Sequence, residues 1–367
     1  MASMRYGDAV NEALERLDGL GYERGEDGDF ANHGPMGAET IAVLGHGDEV
    51  ARWVEGYRNA MSHHEPPAPR FPLEATDESS WRPALGVFER AGDWEQLFDR
   101  ELAEGPWREV LARWWPRLLP GLLAALTHGL IRTAHAVRGL AAAEAPSALQ
   151  LTELARGLAY WAARYTELPG QVQLSGQRTL AEAIRALPRV PRDPSAGPDV
   201  DSPGHRLRHL GRYPGYFEAL QGLAPQHTQW LLSEMTTEFA GVYLAHPEVR
   251  PVPLVHGVTA PAAVRLVLPH LPDELHQPSV AALWQVHAAL LLTFASDHGT
   301  EDTARTRALQ TDTPAFDELC VQAVKHGDEH VIKFTEACLR EHALRPDPRY
   351  PAAVLAAHQR IPRRTIQ

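Results

Sequence analysis

The sequence predicts an all-α protein: a single large helical domain over residues 1–367, in two helical halves separated by a Pro-rich loop. Three observations carry this. Apolar residues recur at spacings of three and four, the period of a helix face. Alternating strand patterns are almost absent, and no strand–helix–strand rhythm is visible. Gly and Pro fall at the ends of the periodic runs, where helices stop.

Taken in order, GDAVNEALERLDG (7–19) reads as a helix closed by Gly19. Ala38 to Met61 reads as one or two helices, and HHEPPAPRFP (63–72) as a loop. Arg82 to Glu144 is a helical run broken at Pro106, Pro116 and Pro120, because proline interrupts a helix interior. Ala148 to Tyr165 forms another helix. LPRVPRDPSAGPDVDSPG (187–204) is the linker or long loop. Helices follow near 215–246, 259–270, 278–297, 313–324, 328–343 and 350–359. No repeat of fixed period is present.

Composition removes several function classes. Net charge is -12 and no basic stripe carries interleaved aromatics, so no nucleic-acid partner is expected. The longest apolar stretch read from the sequence, Leu118 to Leu126, is too short to span a bilayer, and the acidic start lacks a signal peptide's basic and apolar regions. No membrane association is expected. Two cysteines, Cys320 and Cys338, make no framework and fit a reducing, cytoplasmic setting. Glycine spacing gives no dinucleotide fingerprint or phosphate loop, and no nucleophile elbow or C-x-x-C pair is present.

Of 35 basic residues only Lys325 and Lys333 are lysines, both within VKHGDEHVIKF (324–334). Arginine replaces lysine at most solvated positions, but not where the amine must lose a proton or react. On one continuous helix at about 100° per residue, Lys333 shares a face with His326 and His330, while Lys325 points away. A neutral or carbamylated lysine can ligate a metal; an ammonium cannot. A plain ion pair of Lys333 with Glu329 or Glu336, or a solvated patch, stays open on spacing alone.

Three other stretches place histidine suggestively. FANHGPMGAET (30–40) sets His33 just ahead of a helix. THGLIRTAHAVRGL (127–140) puts His128, Arg132 and His135 on one helix face. LVHGVTAPAAVRLVLPHL (254–271) places His256 in a loop before a helix starting near Pro261. His128 and His135 stand two turns apart, roughly 10 Å, too far to share one metal. One is then a ligand while the other meets substrate. A lone histidine among apolar residues is more often a satisfied core residue than a ligand.

Together, NHGPMGAE, HGLIRTAHAVR, LVHGVTAPAAVRLVLPHL and GDEHVIKFTEA resemble the questin oxidase-like family, over about Tyr22 to Tyr350. Each motif alone is weak; the four in this order are fairly specific. The resemblance implies a helical fold and an oxygenase that opens a ring of anthraquinone-type aromatic polyketides in secondary metabolism, with a Baeyer–Villiger-like outcome. It implies a non-haem Fe(II) site rich in histidine, with a modified lysine as a further ligand and O2 as co-substrate. Carried over motif by motif, it points to His33, His128, His256, His330 and Lys333 as metal ligands, Lys333 carboxylated. It places His135 and Arg132 against substrate, as catalytic residues. Electrons would come from NADPH through a separate reductase, from another external reductant, or from a substrate reduced beforehand. Two other readings remain open on the residues: a zinc- or other metal-dependent hydrolase using histidine and carbamylated lysine, and a non-catalytic helical protein that binds aromatic ligands.

Overall fold

The computed structural model describes residues 4–26, 30–191 and 202–364. The expected 187–204 linker lies mostly outside them. The first helices are α1 Tyr6–Leu17, α2 Gly34–Val43, α3 Val50–Asn59, α4 Glu78–Trp81, α5 Ala91–Glu104 and α6 Trp107–Leu118. Then come α7 His128–Ala142, α8 Ala148–Ala163 and α9 Leu180–Ala186. Beyond the linker follow α10 Pro203–Arg208, α11 Tyr216–Gly222, α12 Thr228–Ala245, α13 Pro251–Val267 and α14 His276–Phe294. The chain closes with α15 Ala304–Leu309, α16 Phe316–His326, α17 Glu329–Leu344 and α18 Arg349–Arg360. The only strands among the described residues, β1 Glu23–Arg24 and β2 Phe30–Ala31, pair antiparallel. The protein is all-α.

One large apolar core runs from Tyr22 to Ile361 and draws side chains from both sides of the linker. A smaller core joins α1, α2 and α3 to Val324 and Ile332. Close helix approach depends on absent side chains. A Cβ on Gly129 of α7 would come within 2.6 Å of Trp161 Cα on α8, and one on Gly37 of α2 within 2.3 Å of the Trp53 ring on α3. α7 and α13 pack together at the centre, and α17 packs on both α2 and α13.

Two local readings need correction. α13 begins at Pro251, not near Pro261, and runs on through Pro261. Proline lacks the N–H that would bond the carbonyl four residues back, Gly257 O. His287 Nε2 donates to that carbonyl at 2.8 Å instead, so the helix continues without an orphaned acceptor. This helix also revises the apolar count: Pro251–His270 is long and apolar enough to cross a membrane, but 72% of it is buried among neighbouring helices, as a core helix is. The second correction concerns VKHGDEHVIKF. α16 ends at His326; Gly327 takes a left-handed turn, and Asp328 caps α17 by accepting the N–H groups of His330 and Val331. His326 therefore does not share a face with His330 and Lys333. Its Nε2 meets Ile361 O at 3.0 Å, away from them.

Candidate metal centre

Four helices bring histidine to one place. His33 immediately precedes α2, His128 opens α7, His256 lies mid-way along α13, and His330 sits in the first turn of α17. Ligating nitrogens of His33, His128 and His330 all lie within 4.8 Å of one another. The His256 ring is centred 4.6 Å from that of His128 and 6.4 Å from that of His330. Lys333, one turn beyond His330, is 3% exposed, whereas Lys325 is exposed on α16. Among the described residues, Lys333 has no ion pair with Glu329, Glu336 or any other carboxylate.

Each ring is held from behind. His33 Nδ1 donates to Ala31 O at 2.6 Å, and its backbone N–H donates to Tyr57 Oη at 2.7 Å. His128 Nδ1 donates to Ala125 O. His256 Nδ1 pairs with Thr127 Oγ1 at 3.0 Å, and His330 Nδ1 lies 3.3 Å from Asp328 Oδ1. A carbonyl only accepts, so the ring proton of His33 and of His128 sits on Nδ1, leaving a lone pair on each Nε2. Those two Nε2 atoms face each other at 2.8 Å. His256 Nε2 is buried without any hydrogen-bond partner. Burial, reinforced by the nearby Lys333 charge, holds His33 and His128 far below the usual histidine pKa; burial and the neighbouring histidines do the same for His256. All three are neutral, so lone pair faces lone pair, an arrangement that a bound cation relieves.

Burial also brings the Lys333 ammonium down to about 8, against the pull of the Glu329 and Asp328 carboxylates. Glu329 is buried between Arg24 at 2.8 Å and Arg364 at 2.8 Å, with His33 Nδ1 4.0 Å away. The donor set fits a metal: His33 and His128 each leave an Nε2 lone pair free, His256 and His330 stand beside them, and the Lys333 ammonium gives up its proton more readily than an ordinary lysine.

The turn entering α7 is strained. Ala125, Leu126 and Thr127 take φ of 47°, 55° and 68°, three successive non-glycine residues in the left-handed region. Each costs about 1–2 kcal/mol relative to the right-handed conformation. The strain has a use: Ala125 O orients His128, and Thr127 Oγ1 orients His256.

A cavity of about 860 Å³ opens onto His33, His128 and His330. Its walls include Phe30, Leu126, Tyr160 and Ile361. This is room for a multi-ring organic molecule.

The structure does not place His135 and Arg132 on this cavity. His135 Nδ1 bonds Glu39 Oε2 at 2.6 Å, and the gap beside it holds about 20 Å³, room for a water. Arg132 forms two hydrogen bonds to Glu153, at 2.6 and 2.8 Å, beside a gap of about 10 Å³. Only the first turn of α7 reaches the cavity; α2 and α8 cover the turns beyond. Both residues expected to meet substrate therefore stand outside the cavity wall, each bonded to a carboxylate. Thr127, Asp328, Glu329, Arg24 and Arg364 escaped the sequence reading. The Asp-Glu pair after Gly327 was a visible helix-start signal. Arg24 meets Glu329 across 305 residues, and no local pattern announces that.

No known family model and no curated protein matches this sequence.

Proposed function

We propose that the chain is a non-haem iron oxygenase that opens a ring of an anthraquinone-type or related aromatic polyketide, with a Baeyer–Villiger-like outcome, in secondary metabolism. The observation that supports this reading is the cluster of four histidines beside a large, partly aromatic cavity, with the Nε2 lone pairs of His33 and His128 opposed and His256 Nε2 unpartnered. His33, His128, His256, His330 and Lys333 would hold the metal. Iron bound there would supply a redox centre for the reduction of O2.

The chain's own groups have definite tasks. Ala31, Ala125 and Thr127 fix the ring orientations. Lys333, with its pKa lowered to about 8, gives up its ammonium proton to solvent and presents the amine to dissolved carbon dioxide: an N–C bond forms, a second proton leaves to solvent, and a carbamate carboxylate caps the nitrogen. Tyr160, Phe30 and Leu126 offer apolar surface to a flat substrate. Electrons would come from a separate reductase fed by NADPH, from another external reductant, or from a substrate reduced beforehand. We place the enzyme in the cytoplasm.

The test is elemental analysis of protein purified without chelator or metal-affinity tag, followed by oxygen uptake with anthraquinones and their hydroquinones. One iron per chain and substrate-dependent uptake are expected. Zinc with no uptake points to the hydrolase. No metal after anaerobic ferrous reconstitution points to a binding protein.

A further inference from the structure

The charge around the cavity is not what a strongly acidic chain leads one to expect. With a net charge of -12 overall, five arginines line this cavity against three carboxylates, Glu23, Asp328 and Glu329. The carboxylates are all engaged. Glu23 accepts from Arg164 at 2.7 Å, and Glu329 is shared by Arg24 and Arg364. Asp328 caps α17. Arg360 directs its donors to the carbonyls of Tyr243, His246 and Val249. Five guanidinium groups still outnumber three carboxylates, and two of them stand out. Arg24 is 3% exposed, bonds Glu329 through Nη2 and stacks 4.1 Å from the Tyr57 ring centre, with its Nε and Nη1 buried and without a hydrogen bond. Arg250 has no ion pair among the described residues and stands exposed at the cavity edge, at the N-terminal end of α13. That end of a 17-residue helix adds its own positive potential. The wall also carries apolar surface, and Phe30 is 57% exposed.

We infer that the cavity selects an aromatic acid in its anionic form, with flat rings against Phe30, Leu126 and Tyr160 and a carboxylate drawn to Arg250 and Arg24. Apolar walls disfavour a polyphosphate, and unpaired guanidinium donors disfavour a neutral hydrocarbon. This names the substrate's charge within the function proposed above. It rests on the cavity being the ligand site and not on the identity of the metal.

The test uses the full chain and two probes of equal size, anthraquinone-2-carboxylate and anthraquinone-2-carboxamide, with binding followed by quenching of tryptophan fluorescence. The anion is expected to bind about tenfold tighter at low salt, a preference that shrinks as salt is raised. Arg250→Gln should bring the two affinities together, while Arg108→Gln, a surface arginine that does not line the cavity, should leave the preference intact. Arg250 is exposed, so its variant folds even if Arg24→Gln does not. Equal affinities in the unaltered protein, a preference untouched by Arg250→Gln, or no binding of either probe would overturn the inference. Running the titration on chelator-treated protein separates the two readings. A retained anion preference in a chain that never takes up iron sinks the oxygenase and leaves the anion site standing.

Discussion

The two ends of α7 handle buried polarity in opposite ways. Near its last turns, every charge finds a partner. Glu39 accepts from His135 at 2.6 Å, from Arg138 Nε at 2.7 Å and from Tyr6 at 2.5 Å; Arg138 goes on to Glu336 at 2.7 Å, and Glu336 to Arg340 at 3.0 Å. Burial alone would raise the Glu39 carboxyl, yet Arg138 and His135 bring it to about 2. Burial meanwhile pushes His135 down, so it serves as a neutral donor to a carboxylate already balanced by arginine. At the first turn, the same helix presents His128 to His33 with lone pairs opposed, His256 Nε2 unpartnered, and Lys333 buried without a counter-ion. A satisfied network explains itself as structure. An unsatisfied one, with opposed lone pairs at its centre, calls for something else to complete it.

The contrast can be broken by mutation. The largest effect on stability belongs to the satisfied end. Glu39→Ala strands Arg138 and His135 in the interior and should cost about 3–5 kcal/mol in urea unfolding. Metal content of the folded fraction should hold. If Glu39→Ala strips metal without destabilising the fold, the two ends have been assigned the wrong way round.

At the unsatisfied end the main loss is of metal. Lys333→Arg should lower metal content by tenfold or more, since an arginine neither deprotonates nor accepts carbon dioxide, and should also lower the unfolding midpoint by burying a larger, permanent charge. Lys325→Arg should change neither quantity. Equal effects of the two substitutions would remove the case for Lys333.

A finer test concerns the strained turn. Thr127→Val deletes the hydroxyl that holds His256 Nδ1, with little change of shape. Loss of such a partner typically weakens metal affinity about 10–100-fold, measurable by competition with a chelator. Thr127→Ser should restore affinity. Rescue by serine separates orientation of the ring from simple packing.

The smallest effect lies at a third buried group. His246 sits between Glu301 at 2.8 Å and Glu248 at 3.0 Å. Burial opposes its charge, but the two carboxylates outweigh it and raise the histidine above its usual 6.5. A raised folded-state pKa gives stability that is fully present below about 6.5 and lost as pH rises through the raised value. Unfolding midpoints should therefore decline on the alkaline side of neutral, and Glu301→Gln should flatten that decline. An unchanged slope in this variant would mean that His246 stays neutral, like His135.

Legibility in the sequence followed the range of the interactions. The long helices, from α1 to α18, could be read because apolar period and proline positions are local, while the short α9, α10 and α15 were missed. Lys333 stood out by composition, and His33, His128, His256 and His330 by their motifs. What failed was arithmetic carried across a break. The helical wheel joined His326 to His330 because Gly327 and Asp328 were not taken as a stop and a start. It also set His135 and Arg132 on the face of His128, and the family resemblance then gave them to the substrate. A wheel reports direction, not what stands opposite, and two turns along α7 the opposing surface changes from cavity to α2 and α8. Arg24, Glu329 and Arg364 converge from distant parts of the chain, and only the folded structure joins them.

The left-handed run Ala125–Thr127 also bears on how this protein would respond to engineering. Glycine enters that conformation without the Cβ penalty, so exchanges at 125 and 126 should offset up to about 1 kcal/mol of local strain each. A screen for heat resistance would welcome them. It would equally free the carbonyl and hydroxyl that aim two histidine rings, so sturdier survivors would be poorer at holding the proposed metal. Selection on thermostability alone would thus drift toward a well-folded but chemically idle scaffold.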